Sequence, residues 1–309
     1  MNALTKIELP NLQLINSGKV RDLFYVNDNE ILFVASDRIS AFDVIMSEPI
    51  PQKGQILTSI SLFWFDFFSK NENTKSIKNH LVTTDVDKYP ENLREYKEIL
   101  QGRSMLVKKL NIVPIECIVR GYLAGSGWKE YQKSQTVCDI PLPSGLKESE
   151  KLPEVLFTPS TKEESGHDIN ISPDKAADIV GKELAEKLAD YSIKLYKTAA
   201  EYATTGGIII ADTKFEFGID PDTGELILAD EVLTPDSSRF WNESLYEIGK
   251  SQDSFDKQYL RDWLETVKDW NKEYPAPTLP ENIIVDTNDK YLEAYHRLTN
   301  GGLTSRKIF

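Results

Sequence analysis

Residues 211–218 read ADTKFEFG, and residues 226–235 read LILADEVLTP. Between them runs Asp220-Pro221-Asp222-Thr223-Gly224, residues suited to a tight reversal, so a hairpin pairing 208–218 with 226–232 is predicted. Side chains alternate along a strand, which puts Asp212, Lys214 and Glu216 on one face and Thr213, Phe215 and Phe217 on the other. The phenylalanines can enter a core. With the turn centred near Asp222, Asp230 falls across from Lys214 and near Glu216. Carboxylates gathered round a lysine suit Mg²⁺, which is usually held by one or two carboxylates plus substrate phosphates. Spacing alone fits a solvated polar face with ordinary cross-strand ion pairs slightly better.

Upstream of the hairpin, residues 173–202 predict one long amphipathic helix. Ser172 can cap it, Pro173 suits its first turn, and Asp174 favours the positive end of the dipole. Ala177, Val180, Leu184, Leu188, Tyr191, Leu195, Ala199 and Tyr202 step by three or four, a core-packing stripe that Gly206 and Gly207 end. Near the N-terminus, residues 19–26 alternate, 27–30 offer a turn and 31–35 form an apolar run, a second hairpin. Residues 56–68 read as a buried helix, 105–110 and 115–119 as strands, 141–151 as an exposed loop, and 255–270 as another helix. Strands, a helix, strands, then helices indicate an α+β fold.

Other segments carry candidate chemistry, each with a bland reading beside it. GKVRD, from Gly18, can set Lys19 and Arg21 against phosphates, or be a basic surface turn; neither a Walker A spacing nor a Rossmann glycine pattern is present. SDRISAFDV places Asp37, Ser40 and Asp43 in a loop after a strand, or is a polar turn around a buried Phe42. ECIVRGYLAGSGW sends Arg120 off an apolar strand into a glycine-rich segment with Ser126, a good phosphate cradle or a loop made glycine-rich for tight turning, the first modestly favoured. FTPSTKEESGHDINIS offers Lys162, His167 and Asp168 to a substrate, or is a loop with incidental charges. TPDSSRFW brings Arg239 directly after the strand of Asp230.

Composition narrows the partners. The chain has 309 residues, 40% hydrophobic and 28% charged, a globular balance, with net charge −13. Such a surface repels nucleic acid and anionic membranes but leaves room for small phosphorylated ligands held by a few converging cations. Cys117 and Cys138 form no CxxC, so a disulfide framework or thiolate zinc site is not expected. No basic-then-apolar leader and no membrane-length apolar run is seen, which predicts a cytoplasmic protein.

Taken in order, GKVRD, SDRISAFD, PIECIVRGYLAGSGW, FTPSTKEESGHD, ADTKFEFG and LADEVLTPDSSRFW resemble the SAICAR synthetase family, in its longer, yeast-type branch. The resemblance runs from about Ser17 to Trp263. It implies a fold related to ATP-grasp, with a small β-rich part at residues 1–112, a larger α/β part at 113–309, and ATP in the cleft. It implies ATP-dependent joining of L-aspartate to carboxyaminoimidazole ribonucleotide, with Mg²⁺, by a monomer. By the same likeness Gly18, Lys19, Arg21, Lys108 and Glu116 belong to the ATP site, and Glu216 and Asp230 to the metal. Lys214, Asp212 and Asp37 are expected to be catalytic. Ser40, Asp43, Arg120, Ser126, His167, Asp168 and Arg239 are expected to hold substrate. Tyr122 stands where a basic residue is expected. A kinase reading, prompted by EFG at 216–218, lacks the H-R-D motif with its following Asn. A non-catalytic nucleotide-binding module would bind ATP without turnover.

Overall fold

The computed structural model describes residues 3–162 and 169–299. In chain order come β1 Leu14–Ser17, β2 Arg21–Tyr25, β3 Glu30–Ala35, the small pair β4 Ser40–Ala41 and β5 Val44–Ile45, and helix α1 Lys53–Lys70. β6 Leu81–Thr83, the short helices α2 Glu91–Arg94 and α3 Lys97–Leu100, β7 Ser104–Lys108, β8 Asn111–Ile112 and β9 Ile115–Tyr122 follow. Next are α4 Gly125–Ser134, the pair β10 Thr136–Val137 and β11 Ile140–Pro141, β12 Lys151–Phe157, β13 Ser160–Thr161, α5 Pro173–Val180 and α6 Lys182–Thr204. After them lie β14 Ile208–Ile219, β15 Leu226–Ala229, β16 Ser238–Asn242, α7 Gln258–Thr266 and α8 Glu281–Thr299.

Two compact units result. One takes residues up to Phe63, His80–Lys109 and the segment from Phe255; the other takes Trp64–Asn79 and Leu110–Ser254. A division was expected after residue 112; the contacts group residues 64–79 with the second unit and those from Phe255 with the first.

The first unit is built on an antiparallel sheet of order β1-β2-β3-β7-β6. Its β2–β3 hairpin pairs Arg21 with Ala35 and Tyr25 with Ile31, and the Asn27 side chain closes the turn by accepting from the Asn29 amide. Phe24, Leu32, Val34 and Leu106 turn to a core shared with Val86, Tyr89, Leu93 and Leu100. A second cluster joins Ile39, Val44 and Ile50 to Leu260 and Leu264 of α7 and to Leu279 and Ile283. The sequence reading ran one helix over 255–270; α7 is shorter, and α8 lies beyond it.

The second unit depends on β14. Along one edge this strand pairs first with β16, through Ile208–Thr213, then with β15, from Glu216 to Ile219. Along the other it pairs with β9, from Asp212 to Phe215, then with β8. It is therefore an interior strand, and all of it except Lys214 and Ile219 is buried. Phe215 and Phe217 enter the core as expected, but Asp212 and Glu216 on the opposite face are buried too. The polar face is not a solvated one.

The predicted helix over 173–202 is two helices. Ser172 accepts from the Lys175 amide and Pro173 opens α5 as expected, but Gly181 sits at φ 88° and breaks the run between Val180 and Lys182. A residue without Cβ adopts that angle freely. On α6 the buried positions include Ala185, Leu188, Ser192, Leu195, Tyr196, Ala199 and Ala203. Tyr196 fixes this helix to the sheet by donating from its hydroxyl to the Ile210 carbonyl at 2.6 Å. A Cβ on Gly121 of β9 would stand 2.1 Å from the same hydroxyl oxygen, so that position tolerates only glycine.

Gly121→Ala should therefore lower the unfolding free energy by about 1–3 kcal/mol, the usual range for overpacking. Chemical denaturation of the single variant and of Gly121→Ala/Tyr196→Phe checks this. The double variant should lose less than the sum of the singles, since it removes the atom in conflict.

Candidate active site

The polar face of β14 carries two adjoining groups of charges. Alternate residues on a strand lie about 6.8 Å apart, so Asp212, Lys214 and Glu216 form a row. The β9 register sets Arg120 opposite Asp212 and Ile118 opposite Lys214, so Glu116 and Arg120 share this face with the row.

At one end Lys214 Nζ donates to Glu116 Oε1 at 2.6 Å and to Glu216 Oε1 at 3.1 Å. The second oxygen of each glutamate is also engaged. Glu116 Oε2 accepts from the Ser160 hydroxyl at 3.0 Å, and Glu216 Oε2 accepts from Lys162. The glutamates are nearly covered and the lysines about one-third exposed. Burial works against a charged Lys214, but Glu216, Glu116 and Asp230 outweigh it and raise the ammonium well above its ordinary range. For Glu216, burial again opposes the charge, and Lys214 and Lys162 overcome it, pulling the carboxyl down to about 2.

Asp230 reaches this group from a different position than expected. The β14–β15 ladder ends at Glu216 opposite Ala229, and Asp230 follows at φ 59°. It lies beyond the ladder rather than across from Lys214, yet its charge still acts on the lysine. Among the described residues no three His, Cys, Asp or Glu side chains converge as a ready-made metal cage. Mg²⁺ does not require one, since substrate phosphates complete its shell. Glu216 with Asp230 nearby fits that use.

At the other end Asp212 Oδ2 accepts from Arg239 at 2.6 Å and from Arg120 at 3.2 Å. Arg120 also donates to the Thr158 and Ser126 hydroxyls, each at 3.0 Å. Burial lowers the Arg120 pKa, and Asp212 opposes that. Gly125, at φ 57°, opens α4 against this pair; a Cβ there would lie 2.2 Å from Arg239 Nη2. Two guanidiniums, a serine and a helix N-terminus thus converge where an oxyanion is well held. Asp212, expected to be catalytic, is held by both arginines and orients them.

In the first unit Arg38 shapes the GKVRD turn. Its guanidinium donates to the Gly18 carbonyl at 3.0 Å, the Lys19 carbonyl at 3.3 Å and Asp22 Oδ1 at 2.6 Å. Lys19 pairs with Asp43, so two expected ligand-binding residues meet. Arg21 lies over the Phe33 ring at 5.9 Å, Lys108 ends β7, and Ser40 is buried in β4. Asp37 was expected to be catalytic. It is 1% exposed, and its carboxylate accepts from the Leu4 amide, the Gly54 amide and both Arg103 nitrogens. A carboxylate so held fixes the loop. Expected His167 and Asp168 lie outside the described residues.

Ser160 and Thr158 were not among the expected site residues, and Lys162 was expected only as a possible substrate contact. A period-two signal was present: Thr158, Ser160 and Lys162 alternate, and Ser160 pairs with Glu116 on β9. Tyr122, where a cation was expected, instead packs edge-on against Trp241 and Tyr246.

A family model described as SAICAR synthetase matches residues 14–277. A phosphoribosylaminoimidazole-succinocarboxamide synthase of Maridesulfovibrio salexigens is 55% identical over 301 residues, spanning 97% of this chain and 98% of the relative. One of Desulfosudis oleivorans is 57% identical over 288 residues, spanning 93% and 95%. Among solved structures, the SAICAR synthase of Saccharomyces cerevisiae complexed with SAICAR matches with TM-score 0.88 at 51% identity, over 96% of this chain and 98% of that one. A SAICAR synthetase in complex with ADP matches with TM-score 0.68 at 24% identity, over 93% and 98%, which is a likeness of fold alone.

The charge group predicts an acid limb of stability. A carboxyl lowered from 4.5 to about 2 contributes stability above pH 4.5 that disappears as pH falls through 2. Wild type should lose more unfolding free energy than Glu216→Gln between those limits. Urea titrations across the range check this; parallel curves would contradict it.

Proposed function

The chain belongs to the SAICAR synthetase family, and from that premise we propose how its residues carry out the family's ligation. It is an ATP-dependent carbon–nitrogen ligase of purine biosynthesis, joining L-aspartate to carboxyaminoimidazole ribonucleotide to give SAICAR, ADP and phosphate. The observation that carries the residue assignment is Lys214, held between Glu116 and Glu216 on a buried strand.

The chemistry demands such a group. A carboxylate resists an amine because oxide would have to leave. In the proposed course a substrate carboxylate oxygen attacks the γ-phosphorus of ATP and ADP departs. The aspartate amine then attacks the acyl carbon, loses a proton, and phosphate departs. Lys214, charged across the working pH range, meets the phosphoryl oxygens as negative charge redistributes. Glu216 and Asp230 would hold Mg²⁺, which when bound supplies further charge compensation at the phosphates. Gly18, Lys19 and Arg21 face the nucleotide phosphates, with Lys108 and Glu116 beside the nucleotide. Arg120, Arg239 and Ser126 grip the ribonucleotide phosphate, and Ser40, Asp43, His167 and Asp168 are assigned to substrate binding. The acidic chain, and the lack of a membrane-length apolar helix among the described residues, support small-molecule partners. A cytoplasmic monomer completes this reading.

Arg239→Ala should raise the KM for carboxyaminoimidazole ribonucleotide by about 10–100-fold, the loss expected for one charge-assisted contact, and leave the KM for ATP within about threefold. Steady-state kinetics with each substrate varied check this; equal changes in both constants would contradict the phosphate assignment. Labelling the substrate carboxylate with ¹⁸O tests the course itself. One label should appear in released phosphate, together with SAICAR by mass, only when L-aspartate is present. Unlabelled phosphate would rule out the acyl phosphate.

A further inference from the structure

The lysines on Glu216 are not equivalent. Lys214 is shared between Glu116 and Glu216 and projects from the interior strand β14. Lys162 follows the two-residue strand β13, touches Glu216 and is the more exposed of the two, at 39% against 32%. Both oxygens of Glu216 already carry an ammonium: Oε1 that of Lys214, Oε2 that of Lys162. A lone pair remains on each oxygen, but a divalent cation there would face an ammonium across a single atom. Lys214 cannot leave without stripping two buried glutamates of their partner, a costly change. Lys162 can leave into water.

We propose that Lys162 is a cationic placeholder on Glu216 Oε2, displaced when a divalent cation binds that carboxylate. The proposal rests on the reading that Glu216 takes the metal in the ligation. Lysine and cation then compete for one oxygen, and the affinity for the cation alone is set in part by how readily Lys162 departs. Lys162 is here a positioning residue that acts through Glu216.

The test titrates the full chain with Mn²⁺ by electron paramagnetic resonance, without nucleotide. Lys162→Met should bind Mn²⁺ about fivefold more tightly than wild type, the equivalent of a partly exposed ion pair no longer competing. Lys162→Arg, which keeps the charge, should stay within about twofold of wild type, and Glu216→Gln should abolish the gain in the Lys162→Met background. Lys162→Gln serves as a second neutral variant. A lysine that merely holds the fold would give the opposite sign, because its loss would loosen the site and weaken Mn²⁺. Unchanged or weaker binding in both neutral variants overturns the proposal, as does a lack of Mn²⁺ binding by every form. Failure of the ligation reading shows separately, as absence of SAICAR from wild type.

Discussion

Charged side chains on an interior strand must be neutralised where they stand, and that constraint organises the second unit. Glu116 and Glu216 are buried and share the half-buried Lys214, and an unpaired buried charge there would cost several kcal/mol. Each member is therefore held by at least two partners. Ser160 completes Glu116 and Lys162 completes Glu216. The opposite face of the same strand supplies Phe215 and Phe217 to the core, so the strand cannot slip by one residue without burying charge and exposing phenyl rings. Register, and with it the geometry of the charges, is set by hydrophobic packing.

Two residues further along, Asp212 meets the same constraint with the signs reversed. Here a carboxylate compensates two arginines rather than a lysine compensating two carboxylates. One strand thereby presents a group rich in carboxylate beside a group rich in guanidinium. A metal-linked nucleotide phosphate suits the first and a ribonucleotide phosphate suits the second. Glycines make the second group possible: Gly125 leaves room for Arg239, and Gly127 lets the Arg120 chain pass at 3.3 Å from where a Cβ would be.

Much of this was legible from alternation. Period two along ADTKFEFG separated the charged row from the phenylalanines, and the DPDTG turn located the hairpin. Burial of the charged face was not legible, because pairing with β9 and β16 joins residues far apart in sequence. The break at Gly181 was passed over because the apolar steps on either side keep nearly the same phase. The surroundings of Asp37 were not legible either. Its type and loop position suit catalysis, but only the fold reveals that Arg103 and two backbone amides use its oxygens.

The central claim is that Lys214 stabilises the transferring phosphoryl group, beyond holding two glutamates in place. The most direct measurement is kcat of Lys214→Met beside that of Lys214→Arg, each verified as folded by circular dichroism. Loss of a buried charge contact made in the transition state predicts a fall in kcat of about 100- to 1000-fold for Lys214→Met, with partial recovery in Lys214→Arg. A folded Lys214→Met enzyme turning over within a few fold of wild type would contradict it, and would leave the lysine a structural counter-ion only.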